Sequence, residues 1–214
     1  MINYLSNNYD KLLIALVEHF QLVGITLLIS IPFSTGFSYL MITSKFINKI
    51  ASSIMLFIYC IPSIALFTLL IPLLGLGKTN AIVGMTAYNQ ILLVRNIITA
   101  WSSIPVYIKT SAKSTGMPNL ILFKHIYLPI MLPHLISGLR ITTVSTTGIA
   151  TIAALINAGG LGKILFEGVR TSHIPKIIIG ITLSAGLAVL LNTIFSIFER
   201  KALYKATGGH TTKL

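Results

Sequence analysis

Four stretches of the chain carry no Lys, Arg, Asp or Glu over a length that suffices to cross a bilayer. They lie between Glu18 and Lys45 (26 residues), Lys49 and Lys78 (28), Arg140 and Lys163 (22), and Lys176 and Glu199 (22). A helix crosses the hydrocarbon core with about 20 apolar residues. A fifth run, Thr79–Val94, has 16 residues and continues past Arg95 through Ile97 and Ile98. An arginine near a helix end can extend to the headgroups. These runs predict an all-α membrane protein with about five spans, at 20–43, 50–74, 80–100, 135–157 and 176–198. The first run is too long for a signal-peptide core and reads as an uncleaved span.

Composition supports a lipid rather than an aqueous surroundings. Of 214 residues, 54% are hydrophobic and 9% charged, whereas a soluble domain carries roughly a quarter charged residues. The net charge of +12 does not signal nucleic-acid binding, because the basic residues form no stripe interleaved with aromatics. They fall between the apolar runs and set orientation instead. With the segment after the third span in the cytosol, eleven Lys and Arg residues lie at the inner face and five (Lys11, Lys78, Lys163, Arg170 and Lys176) outside. The opposite orientation breaks the positive-inside rule. The N-terminus is therefore expected outside and the C-terminus in the cytosol. The expected layout is an external segment 1–19, a membrane domain 20–200 and a cytoplasmic tail 201–214. Cys60 has no partner for a disulfide, and the five histidines show no metal-ligand spacing. No carboxylate pair and no phosphate-binding Gly-x-x-x-x-Gly-Lys-Ser/Thr loop is present, so neither catalysis nor ATP hydrolysis is expected of this chain.

The longest polar segment, about 101–133, is amphipathic and carries Lys109, Lys113, Lys124 and His125 with Pro105, Pro118, Pro129 and Pro133. The prolines are expected to divide it into short helices, each starting or ending near a proline. Within it stand Thr110-Ser111-Ala112, three residues, Gly116, nine residues, then Ile126-Tyr127-Leu128-Pro129. Gly116 suits a turn that ends one short helix, and Pro118 suits the first turn of the next. This spacing resembles the Glu-Ala-Ala loop of ABC importer permeases, which runs Glu-Ala-Ala, three residues, Gly, nine residues, Ile-x-Leu-Pro. The resemblance implies the methionine-permease-like fold with cytoplasmic coupling helices. It also implies that Thr110, Ser111, Ala112, Gly116, Ile126, Leu128 and Pro129 dock on a separate ATPase and transmit its closure. Thr110 and Ser111 replace the usual Glu and Ala, which removes a carboxylate and suggests pairing with a second, different permease, a homodimer being the alternative. An interfacial helix that binds headgroups through its lysines is the plainer reading of the same segment.

A second stretch, Ala153-Ala154-Leu155-Ile156-Asn157-Ala158-Gly159-Gly160-Leu161-Gly162, is similar to permeases for glycine betaine, carnitine and choline, with Asn157 where glycine is usual. Methionine-type permeases share part of it. The glycines also fit a tight external turn that caps a helix. The family implies a dimer of permeases, two ATPase subunits holding ATP and Mg, and an external, lipid-anchored solute-binding protein. It implies no cofactor on this chain. The expected function is uptake of a small osmoprotectant by alternating access. Methionine or another amino acid is the alternative cargo, and a self-sufficient channel or secondary carrier the alternative class. The latter lacks an intramembrane Asp or Glu for its ion site.

The fourth span is rich in small and hydroxyl residues, which allow close helix packing. One of its faces is a candidate pathway lining through Thr143, Thr147 and Thr151. Tyr88, Asn89, Gln90, Arg95 and Asn96 form the most polar intramembrane group and should face protein or water. With Tyr59, Tyr88 also offers an aromatic face to a quaternary ammonium cation.

Overall fold

The computed structural model describes residues 8–206. Residues 1–7 and 207–214, including Lys213 of the inner-face tally, lie outside the described residues. The chain is helical throughout: α1 (Tyr9–Thr43), α2 (Lys45–Cys60), α3 (Ser63–Leu74), α4 (Lys78–Ser102), α5 (Val106–Ser114), α6 (Asn119–Leu122), α7 (Leu128–Ala153), α8 (Leu161–Arg170) and α9 (Ile174–Ala206). Four runs are long and apolar enough to cross a membrane, and the bent pair α2–α3 makes up to five. The all-helical expectation and the span count of about five both hold.

Three boundaries differ from the sequence reading, each for a physical reason. First, α1 starts at Tyr9 rather than near Phe20 and runs 35 residues, about 52 Å. Charged Asp10, Lys11 and Glu18 do not stop it, because a helix that emerges from lipid remains helical in water when it has packing partners. Secondly, the predicted span 50–74 is not one rod. It breaks at Ile61–Pro62, where α2 and α3 meet at 101°. Proline excludes its predecessor from the helical region, and Ile61 is extended (φ −69°, ψ 128°). The carbonyl freed at Ile61 is taken by the Tyr88 hydroxyl of α4. Helix α3, at 12 residues, is about 18 Å long and too short to cross alone.

Thirdly, Pro105 and Pro118 divide the polar segment, but Pro129 and Pro133 do not. Asn119–Ile156 forms one helical run of 38 residues. Pro129 sits at the start of α7, directly after a π-helical turn at Phe123–Tyr127. The wider turn, in which Leu128 N–H donates to Phe123 O, accommodates a proline that cannot donate to the residue four back.

Helices α4 and α7 sit centrally, with α1 across both and α9 along α7. In lipid, water expulsion does little to hold helices together, so close contact and interhelical hydrogen bonds matter more. The small residues of α7 and α9 serve that contact. A Cβ on Gly138 would lie 2.5 Å from Asn96 Cβ of α4, and one on Gly180 would lie 2.8 Å from Leu165 Cα of α8. The chain's surface carries Leu28, Phe33, Phe57, Leu69, Val189 and many other exposed large apolar residues, as lipid contact requires. Gly180→Val should force α8 away from α9. It is expected to destabilise the purified protein by about 1–3 kcal/mol, read as a lowered thermal unfolding midpoint in detergent, while Gly186→Ala, which faces open space, should not.

Candidate functional site

The expected external charges come together at one end of the bundle. Lys78 at the start of α4 lies 3.6 Å from Glu18 of α1, and Lys176 of α9 bonds Glu167 of α8 at 2.7 Å. At that end residues 154–160 join α7 to α8. Asn157, Gly159 and Gly160 all have positive φ (61°, 85° and 77°), conformations that glycine and asparagine tolerate best. The tight turn expected of these glycines is present, and Asn157 takes its left-handed position. The turn is pinned to α1. Gly160 N–H donates to Glu18 Oε2 (3.0 Å) and Leu161 N–H to His19 Nδ1 (3.3 Å), while His19 Nε2 lies 3.2 Å from Thr147 O of α7. Since Nδ1 accepts, Nε2 must carry the proton, so the fully buried imidazole is neutral and both its nitrogens are used.

Glu18 and His19 read in the sequence only as the charged edge of a span and a scattered histidine, so their role here was missed. The usable signal was an acid and a histidine side by side at the end of an apolar run. Beside the clasp lies a cavity of about 620 Å³, lined by Glu18, Lys78, Asn157, Lys163, Phe166 and Arg170 among others.

At the opposite end the polar segment forms a compact unit. Ala100, Ile104, Ala112, Leu122, Tyr127 and Met131 make a small core of its own. Trp101 packs edge-on against Tyr127 (centroids 5.4 Å apart). Lys109 Nζ lies 4.5 Å from the Trp101 ring centroid and donates to Trp101 O at 2.9 Å, fixing α5 against the end of α4. Ala112 is therefore a core residue, while Ile126 and Leu128 are half-buried and Pro129 is exposed. Thr110 and Ser111 face outward, Thr110 bonding back to Val106 O (3.1 Å). Gly116, at φ 69° with open space around it, forms the turn. The outer surface is apolar, with Val106 77%, Tyr107 71% and Leu120 78% exposed.

The residues singled out as a pathway lining separate into two groups. Asn89, Thr143 and Thr147 are fully buried between helices. Asn89 donates to Ser30 Oγ of α1 (3.3 Å) and accepts from Thr146 of α7 (2.9 Å), and Thr143 and Thr147 bond back to their own helix. Tyr88 is buried against Tyr59 (5.9 Å, edge-on). Tyr59 is exposed, and Gln90 and Thr151 are half-exposed. A further stripe, Thr26, Ser30, Ser34 and Ser38, recurs every four residues on α1 and is fully buried. Its four-residue spacing is legible in the sequence.

Two outcomes follow. His19→Phe should leave the buried Leu161 N–H unpaired at a cost of about 1–3 kcal/mol, read as a lower thermal midpoint, whereas His19→Gln, with a donor and an acceptor, should recover most of it. At the outer corner, the hydrogen bond from Lys176 holds the Glu167 carboxyl below its ordinary pKa, aided by the charges of Lys176, Lys11 and Lys163 against a smaller opposing effect of burial. A lowered folded-state value means that the contribution is present above the ordinary carboxylate range and is lost as pH falls through the lowered value. Glu167→Gln should remove that acid-side loss of thermal midpoint.

Comparison with known proteins places this geometry. Residues 18–204 match the family described as binding-protein-dependent transport system inner membrane component. The osmoprotectant import permease protein OsmW of Salmonella typhimurium is 30% identical over 196 residues, covering 89% of this chain and 91% of that protein. The glycine betaine/carnitine/choline transport system permease protein OpuCB of Bacillus subtilis is 28% identical, covering 98% and 96%. Among solved structures, the inward-facing MetNI methionine ABC transporter superposes with a TM-score of 0.80 at 20% identity, covering 89% of this chain and 96% of that one, which establishes the methionine-permease-like fold. A family match over most of the chain, on a fold with a glycine-turned helical unit between its third and fourth crossings, makes this protein a member of the binding-protein-dependent transport system inner membrane components: a multi-pass permease of the cytoplasmic membrane, without catalysis or a cofactor of its own, that works with a separate ATPase and a solute-binding protein.

Proposed function

We propose that this chain is the permease of an importer for a small osmoprotectant, with glycine betaine, carnitine and choline as the solutes to test first. The observation that carries the reading is the polar segment: a folded unit with its own core on which Val106, Tyr107 and Leu120 stand exposed. Apolar side chains held in water by a rigid support mark a protein docking surface. The proposed layout is an external segment 1–19, a permease domain 20–200 with a coupling loop at 101–133, and a cytoplasmic tail 201–214. Thr110, Ser111, Gly116, Ile126, Leu128 and Pro129 form or support the ATPase contact, with Ala112 anchoring it from below. Because Thr110 bonds its own helix, docking relies on shape and apolar contact rather than on a carboxylate. That asymmetry favours a heterodimer with a permease that keeps the acid.

Closure of the ATPases would move the loop. The run Asn119–Ile156, about 57 Å long if straight, would carry that motion to the opposite end, turning the pathway from inward- to outward-facing. Tyr59, Gln90 and Thr151 remain accessible on the subunit and are the first candidates for its lining. Tyr88, Asn89, Thr143 and Thr147 support it from behind. A lipid-anchored binding protein would deliver the solute.

The solute assignment rests on the names of the relatives and on the similarity of segment 153–162. In proteoliposomes with the ATPase and binding protein, labelled betaine, carnitine or choline should accumulate in an ATP-dependent manner. Leu120→Glu or Tyr107→Glu should weaken co-purification of the ATPase at least ~10-fold. Uptake indifferent to all three solutes removes the osmoprotectant reading. ATPase binding unchanged by both variants removes the coupling role and leaves a headgroup-binding helix.

A further inference from the structure

Lys109 differs from Lys124 and His125 of the same polar segment. Those two are exposed, whereas Lys109 is half-buried and folded back onto the end of α4. Helix α4 has no basic residue in its last turn, where its backbone dipoles leave partial negative charge. Lys109 supplies that cation from the following helix: its Nζ donates to Trp101 O at 2.9 Å and lies 4.5 Å from the Trp101 ring centroid. The same ring packs edge-on against Tyr127, 5.4 Å away, in the π-helical turn that leads into α7. Trp101 therefore joins α4, α5 and the start of α7. Helix α5 has few other ties. Over its nine residues it has no extended packing against another helix among the described residues, and Ile108 and Ala112 seat it in the small core. Apolar contacts alone let a short helix roll about its axis, because they carry no direction. A hydrogen bond to a fixed carbonyl does carry one.

We infer that Lys109 is a positioning residue for energy coupling: through Trp101 it holds α5 at one angle, so that α5, the end of α4 and the start of α7 move as one body. This rests on the coupling role proposed above and names the joint through which that role acts. Val106 and Tyr107 stand on α5 and Leu120 on α6, all exposed. With the joint removed, these side chains would still meet the ATPase, but its push would be absorbed by rotation of α5 before it reached α4 and α7. Arginine keeps a cation that stacks on an indole and can donate to the same carbonyl. Methionine keeps an unbranched apolar stem and loses both interactions.

The test uses the whole transporter, with its ATPase, in nanodiscs, and the binding protein purified from the same cells with the solute it carries. The readout is the factor by which the binding protein stimulates ATP hydrolysis. K109M should lower that factor ~10-fold, with ATPase co-purification and thermal midpoint unchanged, and K109R should restore it. W101L should lower it as well. The double variant K109M/W101L should lose less than the product of the two single losses, because both changes remove one joint. If K109M lowers the thermal midpoint, K109Q, which keeps a donor for the carbonyl, replaces it, and the same direction of change is expected. An unchanged factor in these Lys109 variants overturns the inference, as do single losses that simply multiply. So does a loss of ATPase co-purification that accounts for the whole effect, since Lys109 would then shape only the docking surface. ATPase binding unchanged by L120E and Y107E would instead defeat the coupling reading, and a wild-type transporter that its binding protein does not stimulate would defeat the transport reading itself.

Discussion

Inside a bilayer there is no water to satisfy a backbone group, and at two of the chain's breaks a specific side chain does so. Where Pro62 breaks the helix, the Tyr88 hydroxyl takes the carbonyl of Ile61. Where α7 turns into α8, Glu18 and His19 take the N–H groups of Gly160 and Leu161. An unpaired group in hydrocarbon costs several kcal/mol, so these contacts decide where the chain is allowed to bend.

The two ends of the molecule are built differently. At the end formed by the polar segment a small apolar core supports a segment whose outer face is apolar and exposed. At the outer end charge and hydrogen bonding dominate, around a turn that α1 holds in place. The continuous run from Asn119 to Ile156 joins them. Its continuity depends on the π-helical turn before Pro129, which absorbs the missing N–H without a kink into a new element. A rigid connection of this kind lets a displacement at one end be felt at the other.

The buried polar residues clarify what small and hydroxyl side chains do in this fold. Ser30, Asn89 and Thr146 form a hydrogen-bonded chain across α1, α4 and α7. Gly138 and Gly180 allow backbones to approach until a methyl group would not fit. Such packing substitutes for the hydrophobic effect, which lipid largely removes. It also leaves few of the polar residues of α4 and α7 open to a passing solute.

The sequence alone determined that the chain is a helical membrane protein, because the length of charge-free runs is set directly by bilayer thickness. The distribution of basic residues likewise predicts an orientation, and the spacing of Gly116 and Ile126-Tyr127-Leu128-Pro129 singles out the polar segment proposed to couple to an ATPase. Those are local or one-dimensional properties. Only the tertiary structure decided that Pro62 breaks a helix while Pro129 and Pro133 do not, since the outcome depends on whether a neighbour or a wider turn satisfies the freed groups. It alone brought Glu18 and His19 to residues 160 and 161, more than 140 positions away. It also turned Asn89, Thr143 and Thr147 inward, because which face of an almost uniformly small helix is buried depends on the helices packed against it and not on its own periodicity.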